Sequence, residues 1–391
     1  MTCIETQYFS LNKTLLLAMG LWPYKRSTLI RLQFIFFFSI LISAIVFQLT
    51  VFLTSKYTID LVIKVITTVL SFSIFVINYI SFAVNFENIK YLIMQLQDVY
   101  STLKNEYENA IIKRYNYSAQ WYTSKLTVLS ICGSFTFIIV QYYTNILDIA
   151  LLRNVSQSRH LPIIMEYFID HEKYFYLIML HIHVAFCIGL ISMVAIGTML
   201  IAYIQHICGI LKISSYRIKH IMGIATLQNI ILKNEDIMFN EIICAVDIHR
   251  HAMRLSELLV SKFELMLLCL IFVEVIALSL NLFRVITYSQ DDIKEYVLSF
   301  LFALIIILYM FLVNYMGQNI IDHSNHIFIT VCSIQWYLAP LHIQKIIFFL
   351  LQRTSKTFSL SIGGIFYGSL ECFATVLKTS ISYFTVIYSV Q

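Results

Sequence analysis

FYGSLECFATVLKTSISYFTVIYSVQ, from Phe366 to Gln391, decides how the rest of the chain is read. It is long and apolar enough to cross a bilayer, since a spanning helix needs about 20 mostly apolar residues. Wound as a helix, it brings Thr375, Thr379, Ser382, Val386 and Ser389 onto one face, because they recur three or four residues apart. A small, hydroxyl-rich stripe on a membrane helix has two common uses. It packs against another helix, where small residues let backbones approach, or it faces water. Spacing alone leaves both open. Lys378 lies beside the stripe with Glu371 two turns away, and a lysine at that depth needs water or a carboxylate.

The chain upstream repeats the membrane signature. Of 391 residues, 59% are hydrophobic and 13% charged, more apolar surface than a soluble domain can hide. Glycine and proline are scarce, at 10 and 3, which favours long unbroken helices. Apolar runs occur at about 32–53, 61–84, 126–147, 174–204, 263–286, 297–317 and 366–388. They predict an all-α membrane protein of seven transmembrane helices.

Lysine and arginine orient it. Segments 1–31, 85–125, 205–262 and 318–365 hold 19 Lys and Arg, and the alternate connections hold 5, namely Lys56, Arg153, Arg159, Lys173 and Lys294. A cytosolic N-terminus and an extracellular C-terminus are therefore expected. The sequon Asn154-Val155-Ser156 falls on the outer side in this scheme, while sequons at Asn12 and Asn116 fall inside.

Four regions follow. Residues 1–31 are basic and amphipathic, with a Trp22-Pro23 turn, and are expected on the cytosolic membrane surface. Residues 32–317 carry spans one to six, with helical cytosolic extensions over 85–125 and 205–262. Residues 318–365 form a hydrophobic cytosolic anchor region broken by Pro340; such a segment must bury itself, and another subunit is the natural partner. Residues 366–391 are the final span.

Several functions are disfavoured. A net charge of +5, scattered along the chain, does not suit nucleic-acid binding. Eight cysteines without paired spacing read as reduced thiols, and no apolar run precedes Leu32, so no cleavable signal peptide is expected. The inverted orientation, the missing outer-loop cysteine and the lack of DRY-like and NPxxY motifs argue against a G-protein-coupled receptor. No G-x-S-x-G, HExxH or P-loop occurs, so neither a catalytic residue nor a cofactor is expected. His181 and His183, near Asp170, His171 and Glu172, point two ways on a helix and cannot clamp one metal ion. Asp247, His249 and His251 read as a solvated face. Lys64, close to a span end, can snorkel, and Glu274 is an ionisable group within a span, a functional candidate by default.

The outer halves of spans two to four are rich in aromatics: Phe72, Phe75, Tyr142, Tyr143, Phe175, Tyr176 and, with them, Met179. An interfacial belt explains them, and so does a pocket for a small apolar ligand.

The C-terminal motifs MGQNIIDHSN (316–325), IQWY (334–337), Lys345 and VLKTSISYFTV (376–386) resemble the signature of insect odorant receptors. Length, seven spans and inverted topology agree along the chain, while the first 300 residues carry little motif of their own. The resemblance implies a ligand-gated, non-selective cation channel, a heterotetramer of an odorant-selective subunit with a conserved co-receptor, in the plasma membrane of olfactory sensory neurons. It implies that the final helix lines the pore, with Val386 at the gate, Ser389 the neighbouring polar position, and Ser382 and Thr379 on the same face. It also implies a pocket for small volatile molecules in the outer half, between spans two, three, four and six, which makes Phe72, Phe75, Tyr142, Tyr143, Tyr176 and Met179 the candidate ligand contacts. A gustatory-type homotetrameric channel and a metabotropic chemoreceptor are the alternatives.

Overall fold

The computed structural model describes residues 9–24, 27–101, 103, 105–150, 163–170, 172–228, 235–287, 293–356, 358 and 360–390. Eleven helices are present among them: α1 (Ser10–Ala18), α2 (Thr28–Leu49), α3 (Val51–Thr54), α4 (Ile59–Val84), α5 (Phe86–Ser101), α6 (Glu106–Ala150), α7 (Phe175–Gln228), α8 (Glu235–Thr287), α9 (Ile293–Ser333), α10 (Leu341–Thr354) and α11 (Leu370–Val390). Seven are long and apolar enough to cross a membrane, with α3 continuing α2 in the first. Side-chain caps start two of them: Ser27 Oγ accepts from Ile30 N at 3.3 Å, and Thr58 Oγ1 accepts from Leu61 N at 3.2 Å.

α7 is the centre of the bundle. It packs against α1, α2, α4, α6, α8 and α9, and its small residues Ala185, Gly189, Ala195 and Ala202 allow close approach. At Gly189 the fit is tightest, since a β-carbon there would stand 2.3 Å from Phe75 Cδ2. α11 sits at the edge, packed on α8 and α9.

α7, α8 and α9 are much longer than a bilayer needs, and their far ends form a second packed region with α5, α6 and α10. Polar links hold it. Arg217 Nε and Nη2 donate to Glu108 Oε1 (2.6 Å) and Oε2 (2.8 Å), with both side chains buried, and Tyr115 Oη lies 2.6 Å from His323 Nε2. After α9 the chain makes a 3-10 turn (Trp336–Leu338), then α10, then a two-stranded hairpin, β1 (Ser361–Ile362) against β2 (Phe366–Tyr367). Gly363 and Gly364 turn it with φ of +63° and +68°. Glu264 Oε1 on α8 accepts from Gly363 N at 2.8 Å, and Gly317 on α9 packs against the Gly368 backbone. The 318–365 stretch is thus a helix end, a turn, an amphipathic helix and the first strand of a hairpin whose second strand, Phe366–Tyr367, precedes the final helix.

The N-terminal segment docks one face of its helix on the bundle. α1 inserts against α6 and α7, burying Phe9, Asn12 and Leu16. Asn12 Nδ2 lies 3.3 Å from Thr123 Oγ1 and 3.1 Å from Thr198 Oγ1, bridging α6 and α7. An amide with partners on two helices is worth more inside the bundle than at an interface. The region of Asp247 differs from a solvated face: His249 is buried, while Asp247 pairs with Arg250 at the surface. The Asn154 sequon and His171 lie outside the described residues.

Candidate functional site

Two features stand out, the open face of α11 and a cavity among α6, α7, α8 and α9. α11 buries Cys372, Val376 and Ser380 and packs Phe373 and Leu377 onto the core. Ser279 Oγ on α8 shares its proton between the carbonyls of Val275 (2.7 Å) and Ser380 (2.9 Å), a direct tie between α8 and α11. The stripe lies on the other side. Thr375, Lys378, Ser382, Val386 and Ser389 are exposed and Thr379 half-exposed, with Val386 at 55%. Packing within the subunit is therefore not what the stripe is for.

Three of its hydroxyls share one chemistry. Thr375 donates to Glu371 O (2.9 Å), Thr379 to Thr375 O (2.8 Å) and Ser389 to Val386 O (2.9 Å). With their protons turned back onto their own helix, these oxygens present lone pairs outward. The face is a column of acceptors interrupted by the apolar Val386.

The cavity has a volume of about 510 Å³. Met193, Phe263, Met266 and Met316 form its deep wall, and Leu360, Ile362 and Gly368 of the hairpin region close one end. Among the described residues no charged side chain lines it, and the hydroxyls on its wall are Ser130, Thr136, Thr198 and Tyr309. Tyr309 Oη donates to Asn78 Oδ1 at 2.7 Å, and Asn78 Nδ2 to Ile74 O at 2.9 Å. Glu274, buried within electrostatic reach of Tyr309, has an Oε1 without a hydrogen-bond partner among the described residues. Such a site suits a small apolar molecule with few polar groups.

The aromatic residues singled out in the sequence do not line this cavity. Phe72 and Phe75 are buried in a layer with Phe137, Phe186 and Phe302, whose tightest pair, Phe137 and Phe186, stacks at 4.1 Å. Met179 is buried, Tyr142 stacks on His183 at 5.8 Å, and Tyr176 is 66% exposed. The side chain of Tyr143 lies outside the described residues. The layer stands one helical turn beyond the cavity residues Gly133 and Leu190. Glycines inside apolar helices were the available signal for the cavity itself: a β-carbon on Gly197 would meet nothing within 4 Å, and Gly133 has only Leu190 nearby.

The two histidines of α7 diverge. His181 Nε2 lies 2.9 Å from Ser43 Oγ and its Nδ1 2.6 Å from Tyr167 Oη, while His183 Nδ1 faces Met179 O at 2.6 Å. Among the described residues no group of three or more His, Cys, Asp or Glu could hold a metal ion. Lys64 pairs with Asp60 at 3.1 Å.

Seven spanning helices, a long central α7, an apolar cavity and a last helix with an unpacked polar stripe define a polytopic membrane protein. The chain belongs to the 7tm odorant receptor family, which it matches over residues 58–381. Its fold is similar to that of the insect olfactory receptor OR5 from Machilis hrabei. The complex of that protein with eugenol superposes with a TM-score of 0.78 at 16% identity over 98% of each chain. Another structure of that receptor gives 0.76 at 17% identity, again over 98% of each chain. No curated protein sequence matches this chain.

Proposed function

We propose that this chain is the ligand-selective subunit of an odorant-gated, non-selective cation channel, assembled as a heterotetramer with the co-receptor subunit in the plasma membrane of olfactory sensory neurons. The observation that carries the channel reading is the α11 face, acceptor-rich and unpacked within the subunit. Placed about a central axis, it offers oxygens to permeating cations at Thr379, Ser382 and Ser389, and Val386 forms the apolar constriction. The distribution of Lys and Arg supports a cytosolic N-terminus and an extracellular C-terminus. Exposed Leu341, Phe348 and Phe349 on α10 support a subunit interface at the far end of the bundle.

The volatile ligand occupies the cavity, which lies inward of the aromatic layer of Phe72 and Phe75 and so deeper than the outer-half pocket that the resemblance implies. Eugenol in the Machilis receptor supports a small, largely apolar ligand. α8 provides the coupling: Leu259, Val260, Phe263, Met266 and Leu267 form cavity wall, and about three turns beyond Leu267, Ser279 holds the α11 backbone. A ligand opens the pore only by the difference in its affinity for the open and closed states. The test is current recorded from cells co-expressing this chain and the co-receptor with G-protein signalling blocked. Surface expression without evoked current across a broad volatile panel refutes the reading.

A further inference from the structure

We infer that ligands enter the cavity sideways from the bilayer, through a slot between α6 and α9; this rests on the cavity being the ligand site. Both helices pack on α7 and touch each other only sparsely. They meet at Tyr115 and His323, 2.6 Å apart, and at Tyr122 and Tyr315, just short of the cavity. Beyond these contacts each contributes residues that line the cavity and are also exposed on the outside. On α6 these are Leu129 (49%), Cys132 and Thr136, and on α9 Phe300 (50%) and Leu304 (49%). A side chain that faces a cavity and the exterior at once stands at its mouth. The deep wall, by contrast, is buried at Met193, Phe263 and Met266.

The surroundings of the mouth decide what it opens to. Val128, Ile131, Phe135 and Ile139 on α6, and Phe311 on α9, are exposed apolar residues on helices that span the membrane. Among the described residues no charge lines the cavity behind them. The slot therefore opens into hydrocarbon. An approach from the other end of α7 has to pass the layer of Phe72, Phe75, Phe137, Phe186 and Phe302. It meets, further out, the 163–170 segment, which is tied to the first span by Glu166 N to Phe47 O at 2.8 Å and Thr50 Oγ1 to Glu166 O at 2.8 Å. A small apolar molecule concentrates in the bilayer by burial of its apolar area, worth about 25 cal/mol per Å². From there it reaches the cavity without being rehydrated.

A doorway alters rates and leaves the end states alone. Leu304→Trp and Leu129→Trp are expected to slow both the rise and the decay of ligand-evoked current, by about fivefold for a barrier raised by ~1 kcal/mol, with the half-maximal concentration nearly unchanged. The interior variant Met193→Trp, which fills the cavity, is expected to abolish the response at normal surface expression. Should a rim tryptophan prevent folding, alkylation of Cys132 in the unaltered chain by a lipid-soluble N-alkyl maleimide gives the same slowing, absent in Cys132→Ala. Rates unchanged by rim substitution and by Cys132 alkylation, with Met193→Trp silent, overturn the slot and leave the cavity standing. A normal response from Met193→Trp overturns the cavity reading itself.

Discussion

Replacing Glu108 by alanine strands the Arg217 guanidinium in a buried site at the far end of α6 and α7. In the native chain Arg217 makes two parallel bonds to Glu108, of 2.6 and 2.8 Å, and a third from Nη1 to Cys244 Sγ on α8 at 3.0 Å. Breaking one side of a buried ion pair costs about 3–5 kcal/mol, because the remaining charge is left desolvated. Glu241 on α8 is near enough to act on Arg217 and offsets part of this, which places Glu108→Ala near the lower end, at about 3 kcal/mol. Glu108→Ala combined with Arg217→Met removes the stranded charge and retains much of the packing volume, so the double variant is expected to be more stable than Glu108→Ala alone. Thermal denaturation of the purified receptor in detergent, followed by size-exclusion chromatography, gives the ranking. A double variant that melts below Glu108→Ala contradicts the reasoning, since it means that the pair is not what Arg217 depends on.

Three further outcomes are expected. Val386→Ser raises resting current or shifts ion selectivity in whole-cell recordings, whereas Ile387→Leu, on the half-buried opposite face, leaves permeation unchanged; equal behaviour removes the basis for the stripe. Gly189→Ala drives a β-carbon to 2.3 Å from the buried ring of Phe75, costing about 1–3 kcal/mol, and Phe75→Leu in the same chain restores the melting temperature; Gly189→Ala with native stability rules the close approach out. Asn12→Ala removes the bridge from α1 to Thr123 and Thr198, a loss of about 1–3 kcal/mol that appears as increased proteolysis near the N-terminus, and unaltered cleavage argues against a docked α1.

The local pattern of residues was sufficient for the seven spans and for the α11 stripe. Hydropathy over about 20 residues is set by transfer of each side chain from water to hydrocarbon, and the three-or-four spacing by the helical repeat alone. Neither needs a neighbour, so both are written in one dimension. The two-way divergence of His181 and His183 has the same origin. Which face of each helix meets which partner depends on packing between segments far apart in the chain. Hence the burial of α1 through Asn12, whose partners lie 111 and 186 residues away, could not be read from its amphipathic composition. Phe72 and Phe75 illustrate the same limit. Their aromatic character fits a belt, a pocket or a core equally well, and only the approach of α7 at Gly189 and of Phe302 on α9 makes them a packed layer. The cavity is likewise a property of four helices together: α6 and α9 rest on α7 and touch each other only sparsely, and the space left among them is recorded in no single segment.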